Sequence, residues 1–399
     1  MRKFSSKVKE LAGRAESKLS AQFAIYEDIA LSNTEKVLRA FQENRVSDTH
    51  FSGSTGYGLG DTGRDVFDKV IADVFGKERA IARLQLSSGT HTIATALFGV
   101  LRPGDTLLSA IGSPYDTLNG VIRRLNEFGV LYRETPLLPN GEPDINGIAE
   151  ASKNVKAVLI QRSRGYSERP ALYPEKVSEI CNIVRNVNKN VIIIVDNCYC
   201  EFVDVQEPDC DLLLGSFIKN PGGGLAPTGG YIAGRGDLVE AASYALTAVG
   251  SENGASLNVN RLMFQGLFFA PHITAQALKT VTLASAILEE LGYSVTPSPF
   301  DRRADIVQAI KFGNKSDLLK FCQGIQKGSP IDSFAIPEPS AMPGYDCEVV
   351  MAAGTFIQGG SVELSCDAPM RPPYTAFLQG GLTYEAGKYG IMTAIEGLP

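Results

Sequence analysis

Between residue 79 and about residue 235 the chain repeats one pattern, a short run of apolar residues followed by a longer amphipathic stretch. The runs lie at 81–86, 105–111, 129–135, 155–161, 191–196, 211–217 and 229–234, and each has the length of a strand. One of the intervening stretches opens at Pro174 and carries Val177, Ile180, Val184 and Val187 on a single helical face. Strands that alternate with helices build a largely parallel sheet covered on both faces. The expected class is therefore α/β, with a seven-stranded sheet, and ligands of such sheets collect beyond the carboxyl ends of the strands.

The flanking segments have a different texture. Residues 1 to about 45 read as helix, and 46–63 as a loop rich in glycine. The pairs Val66/Phe67, Val70/Ile71 and Val74/Phe75 then repeat at helical spacing up to a capping Gly76. A helix is expected at 260–291, strands near 304–311, 347–354 and 361–366, a helix at 316–327 and a last one near 382–397. A chain of 399 residues exceeds what one core normally serves. The expected division is an N-terminal helical arm over 1–50, a large ligand-binding domain over 51–285 and a small α+β domain over 286–399.

Composition excludes several function classes. A net charge of −6 gives nucleic acid or an anionic membrane little to attract. No apolar run is long enough for a bilayer, and the basic start Met1–Lys7 lacks the apolar core of a signal peptide. Seven cysteines without a C-x-x-C pair argue against a disulfide framework and for a reducing cytoplasm. With three histidines, no metal site is expected.

Three features at run ends carry chemistry. Ser87-Ser88-Gly89-Thr90 follows the first run and opens a helix, whose free N–H groups suit a phosphate. Asp196 ends the run Val191–Val195, where an ionised carboxylate needs a partner. Lys219 ends the run 212–218, where an ammonium is costly and the amine is readily kept neutral or consumed as a Schiff base. Each alone has an ordinary reading: a helix cap, a structural ion pair, a lysine reaching for solvent. One ligand accounts for all three, with a phosphate for 88–90, a ring nitrogen for Asp196 and an aldehyde for Lys219. That ligand is pyridoxal 5'-phosphate (PLP).

The order Ser-Gly-Thr, Tyr, Asp-Asn, Ser-x-x-Lys over residues 88–219 resembles the fold-type I PLP enzymes of Cys/Met metabolism, the cystathionine lyases and methionine γ-lyases. The segments Gln161–Tyr166, Ile218–Gly224 and Arg371–Tyr374 are similar to the methionine γ-lyase-like proteins associated with aluminium resistance. This resemblance implies the aspartate-aminotransferase type of fold and a Schiff base between PLP and Lys219. Asp196 would keep the ring nitrogen protonated. Ser88, Gly89, Thr90 and Ser216 would hold the phosphate, with Tyr115 stacked on the ring and Cys198 beneath it. Tyr57 would reach the phosphate of a neighbouring subunit, making a homo-oligomer, a dimer of dimers, with shared sites. Arg371 would take the substrate carboxylate, with Arg162 or Arg164 as substitutes.

The sequence departs from the cystathionine enzymes at Leu59, where they carry an arginine that Arg64 could replace, at Cys198 for threonine and at Ile218 for a hydroxyl residue. The implied reaction is α,β- or α,γ-elimination on cystathionine, cysteine, methionine or homocysteine, with Lys219 as general base. Three alternatives stand beside it: an aminotransferase, a cysteine desulfurase using Cys347 or Cys366, and a non-enzymatic PLP-binding stress protein.

Overall fold

A computed structural model describes residues 4–248, 254 and 260–399, so Met1–Lys3 of the basic start lie outside the described residues. Two helices, α1 (Ser6–Ser17) and α2 (Ser20–Glu43), are followed by α3 (Thr62–Val74). The alternating region then runs β1 (Arg79–Arg83), α4 (Gly89–Val100), β2 (Thr106–Ser109), α5 (Asn119–Glu127), β3 (Leu131–Glu134), α6 (Ile145–Ala151), β4 (Ala157–Gln161), α7 (Pro174–Val187), β5 (Ile192–Asp196), β6 (Leu212–Ser216), β7 (Gly230–Gly234) and α8 (Gly236–Leu246). All seven expected strands form.

They make one sheet in the order β1-β7-β6-β5-β4-β2-β3. The pairs from β3 to β6 are parallel, and β7 runs antiparallel to both β6 and β1. Side chains alternate between two cores. Val158, Ile160, Ile193, Val195 and Leu213 pack on one side with α3, α7 and the following long helix. Ala157, Leu159, Ile192, Ile194, Leu212 and Leu214 pack on the other with α4, α5 and α8. β3 closes one edge as a mostly exposed strand carrying Arg133 and Glu134, which discourages further pairing.

Beyond α8, α9 (Asn260–Glu290) runs 31 residues, about 46 Å of helix. Its Met263, Phe264 and Leu267 belong to the first sheet's core, and its Leu283, Ile287 and Leu288 to a second core. That second core covers a six-stranded antiparallel sheet built from β8 (Ser294–Thr296), β9 (Val307–Lys311), β10 (Ser340–Ala341), β11 (Glu348–Ala352), β12 (Ser365–Pro369) and β13 (Thr375–Gln379), with α10 (Lys315–Lys327) and α11 (Tyr384–Ile395). The single helix expected over 1–45 breaks in two, because Leu19 turns inward and is wholly buried in this second core beside Val8, Leu11 and Ala15.

Sequence reasoning missed β8, β10 and β13, and it put β12 four residues early. Val362 and Glu363 do not pair as strand. The Val362 N–H donates instead to the Ile218 carbonyl (3.0 Å), which fastens this segment beside Lys219. Among the described residues no helix is long and apolar enough to cross a membrane.

The glycines after Lys219 are explained by close backbone approach. A Cβ at Gly223, which has φ 53°, would overlap the Gly266 carbonyl of α9, and one at Gly266 would overlap the Gly222 carbonyl. Gly266→Ala is therefore expected to cost about 2–3 kcal/mol, measured from the urea midpoint. Gly120→Ala in α5, where a Cβ meets nothing within 4 Å, should be neutral or stabilising by up to about 1 kcal/mol. Equal midpoints for the two variants would refute this account.

Candidate active site

The carboxyl ends of β1, β2, β4, β5 and β6 all open on one side of the sheet. There they surround a cavity of about 160 Å³ lined by Ser88, Gly89, Thr90, Tyr115, Gln161, Tyr166, Asp196, Cys198, Tyr199 and Lys219, among others. Ser88 is the N-cap of α4, its hydroxyl accepting from the His91 N–H (3.1 Å). The start of α4 lies so close to the β5 end that a Cβ on Gly89 would sit 2.9 Å from Cys198 Sγ. Thr90 Oγ1 and the Tyr115 hydroxyl are 2.9 Å apart, and Gln161 Oε1 accepts from the Tyr115 N–H (3.1 Å). Tyr115 is thereby fixed as one wall of the cavity. Burial, then nearby Asp196, pushes its phenol well above the usual tyrosine range, so it stays a hydroxyl.

Asp196 is buried and accepts from the Cys198 N–H (3.1 Å). Among the described residues it makes no ion pair within 4 Å. Burial raises its carboxyl pKa, against the Cys198 N–H, Lys219 and Arg169, which lower it. A protonated ring nitrogen is the partner this carboxylate lacks.

Lys219 differs from expectation. Burial pushes its ammonium pKa down, as the apolar strand suggested, but Tyr199, Cys198 and Asp367 outweigh burial and hold it above the ordinary lysine value. Its Nζ donates to the Tyr199 hydroxyl at 2.6 Å. That hydroxyl in turn donates to the Gly360 carbonyl (3.2 Å), while the Tyr166 hydroxyl stands 3.3 Å away. The amine without its ligand is thus an ammonium held by a hydrogen bond, not a free base.

The remaining candidates are placed as follows. Ser216 is wholly buried next to Gly89, and its hydroxyl donates to the Gly229 carbonyl (3.1 Å). Cys198 packs under Gly89, and burial raises its thiol well above the usual range, which leaves it inert rather than redox-active. Arg162 does not reach the cavity. It is wholly buried and spends its guanidinium on Glu207 (2.8 Å), Asn197 Oδ1 (2.8 Å) and the Leu172 carbonyl (3.2 Å). Arg164 lines a different cleft, with Tyr173, Pro297 and Asp305. Arg371 pairs with Asp346 (2.6 Å) and lies 3.9 Å from Asp116, the neighbour of Tyr115.

Tyr57 is 78% exposed and away from the cavity, and Leu59 beside it is 89% exposed. Arg64 is buried on the Gly254 carbonyl (2.7 Å), so it does not extend outward beside them. Cys366 is buried in the second core, 3.8 Å from Cys322 Sγ, whereas Cys347 is half-buried before β11.

Sequence reasoning missed Tyr199, Tyr166 and Asp367. Tyr199 turns into the site at φ 70°, three residues after Asp196. Asp367 sits in β12, a strand buried at every position, and a carboxylate in such a strand was the available signal.

Comparison with known proteins shows what such a site belongs to. The sequence profile of the methionine gamma-lyase family matches residues 8–398. The chain belongs to that family. Its relatives include YnbB of Bacillus subtilis, an uncharacterized protein 44% identical, with 98% of this chain and 96% of that one covered. A solved carbon-sulfur lyase involved in aluminum resistance, from Clostridium novyi, is 47% identical with a TM-score of 0.94, covering 98% of this chain and 96% of its own. A candidate cystathionine beta-lyase involved in aluminum resistance, from Listeria innocua, is 46% identical with a TM-score of 0.95 over the whole of both chains. At 16% identity the yeast cystathionine gamma-lyase shares the fold (TM-score 0.63), that of the fold-type I PLP-dependent lyases.

For this member of the methionine gamma-lyase family the residues fit the cofactor. Ser88, Gly89 and Thr90 at the start of α4 line the same cavity as Lys219, and the buried Asp196 facing it makes no ion pair within 4 Å among the described residues. Arg162, by contrast, is a structural ion-pair member. Arg162→Ala is expected to destabilise the protein by about 3–5 kcal/mol, because Glu207 is left buried and unpaired. The double variant R162M/E207L should recover most of that loss in urea denaturation. A cost below about 1 kcal/mol for the single variant would remove the assignment.

Proposed function

We propose that this chain is a PLP-dependent carbon–sulfur lyase that cleaves a sulfur amino acid by α,β- or α,γ-elimination to thiol, ammonia and 2-oxo acid. The observation that carries the reading is the convergence of Lys219, Asp196 and the open start of α4 on one cavity. PLP, carried by Lys219, would supply an electron sink for charge developing at the substrate Cα.

Ser88, Gly89 and Thr90 would hold the phosphate with the helix N–H groups, and Ser216 would support them from β6. Asp196 keeps the ring nitrogen protonated, which its buried position makes mutually favourable. Tyr115, fixed by Thr90 and Gln161, would give the cofactor a flat aromatic wall on one side of the cavity. Lys219 Nζ takes the proton from Cα and delivers one to the departing sulfur, and water completes the release of ammonia and oxo acid. Arg371, which lines the adjoining cleft with Tyr166, would turn from Asp346 to the substrate carboxylate. The exposed Tyr57 and Leu59 suit contact with a second copy, in a cytoplasmic homo-oligomer whose sites are shared.

The test combines cofactor and product. The purified protein should show a visible absorbance band abolished by borohydride, with the reduced adduct mapped by mass spectrometry to the Lys219 peptide. Lys219→Ala should lose that adduct and at least about 10³-fold in turnover. Incubation with cystathionine, cysteine, methionine or homocysteine should release 2-oxo acid and ammonia without any oxo-acid acceptor. Product formation only with an acceptor would make the protein an aminotransferase instead.

A further inference from the structure

Arg164 carries a buried charge without a paired anion among the described residues. Its neighbours Ser163 and Gly165 line the catalytic cavity, but Arg164 itself lines a separate cleft of about 400 Å³, between the β4–α7 and β8–β9 connections. The residue is 2% exposed, its Nε and Nη1 have no hydrogen-bond partner, and it makes no ion pair within 4 Å among the described residues. A guanidinium cannot shed its proton to escape burial, so such a charge calls for an anion beside it.

The carboxylates at hand are engaged elsewhere. Asp305, itself buried, accepts from the Arg164 and Val307 N–H groups, both at 3.0 Å, and Asp301 accepts from the Ser298 N–H (2.8 Å). Arg169 and Arg303, whose charges act against that of Arg164, are buried too. They bond neutral groups: Arg169 the carbonyls of Pro170, Gln161 and Ser163, and Arg303 the Thr282 hydroxyl (2.9 Å) and Gln308 Oε1 (2.6 Å). Burial pushes the Arg164 guanidinium below its ordinary value; Asp305 opposes this and Arg303 adds to it.

We propose that this cleft is a second binding site, for a small organic monocarboxylate held by Arg164. The site stands whether or not the first cavity holds PLP. The carboxylate takes the unspent N–H donors of the guanidinium, and its carbon chain lies against Pro170, Ala171, Leu172 and Pro297. Phosphate suits the cleft less well. The two other cations lining it are spent, Lys176 on Glu179 (2.7 Å) and Arg302 on Glu175 (3.1 Å) and Asp204, while Glu142, Asp301 and Asp305 would face a dianion. One negative charge matches one unspent guanidinium. Oxo acids and amino acids share this group.

Calorimetric titration of the full chain tests the site, after borohydride treatment and desalting so that no amine can react at Lys219. Pyruvate, L-alanine and inorganic phosphate are the probes, the first two telling an oxo-acid site from an amino-acid one. At least one of the two acids should bind. Arg164→Met should weaken that binding at least about tenfold, because the charged donors are lost. Arg371→Ala, at the other candidate carboxylate site, should keep it within about twofold. Binding of neither acid, an unchanged affinity in Arg164→Met, or phosphate bound more tightly than both acids and lost in Arg164→Met overturns the proposal. Should Arg164→Met not fold, a crystal structure of the unaltered chain grown with pyruvate and L-alanine decides. A carboxylate on the Arg164 guanidinium upholds the site, and density at Arg371 alone, or at neither, overturns it.

Discussion

Burial of the central strands on both faces is the constraint from which the rest follows. β4, β5 and β6 are buried at every position and send alternate side chains into two cores, so no polar group is tolerated along their length. Polar groups that chemistry needs are displaced to the carboxyl ends, where helix starts and loops can satisfy them. Gln161, Asp196 and Ser216 are each the last residue of their strand. The site is a boundary between a dry sheet and the polar ends it cannot contain.

This constraint also decides what the sequence could reveal. The apolar central strands leave an unmistakable pattern, and with the runs at β1 and β3 all seven strands of the large sheet were legible, as were Lys219, Asp196 and the start of α4. The second sheet is antiparallel and its strands are interrupted. β12 contains Asp367, and β13 follows Pro372-Pro373, so neither carries an uninterrupted apolar run. Arg162 misled because an arginine in a motif looks available, whereas its position one residue beyond β4 buries it against Glu207. Tyr166 and Tyr199 could not be linked to Lys219 from spacing, since only folding brings residues 166, 199, 219 and 367 together.

Electrostatics around Lys219 oppose one another. Desolvation favours the neutral amine, yet the neighbours that position it, Tyr199 and Asp367 among them, favour the ammonium. The neighbours prevail, so without its ligand the amine is held as the ammonium. The thiol of Cys198, kept protonated by burial, fills the space below Gly89.

The loop that follows Lys219 meets α9 backbone to backbone, with Gly222 and Gly223 against Gly266. Side chains that position a catalytic group have rotamers, and each alternative rotamer is a way for that group to drift. A seat made of main chain has none to choose from. The cost of locating the lysine is met once, when the chain folds, and is not incurred again as side chains fluctuate around it.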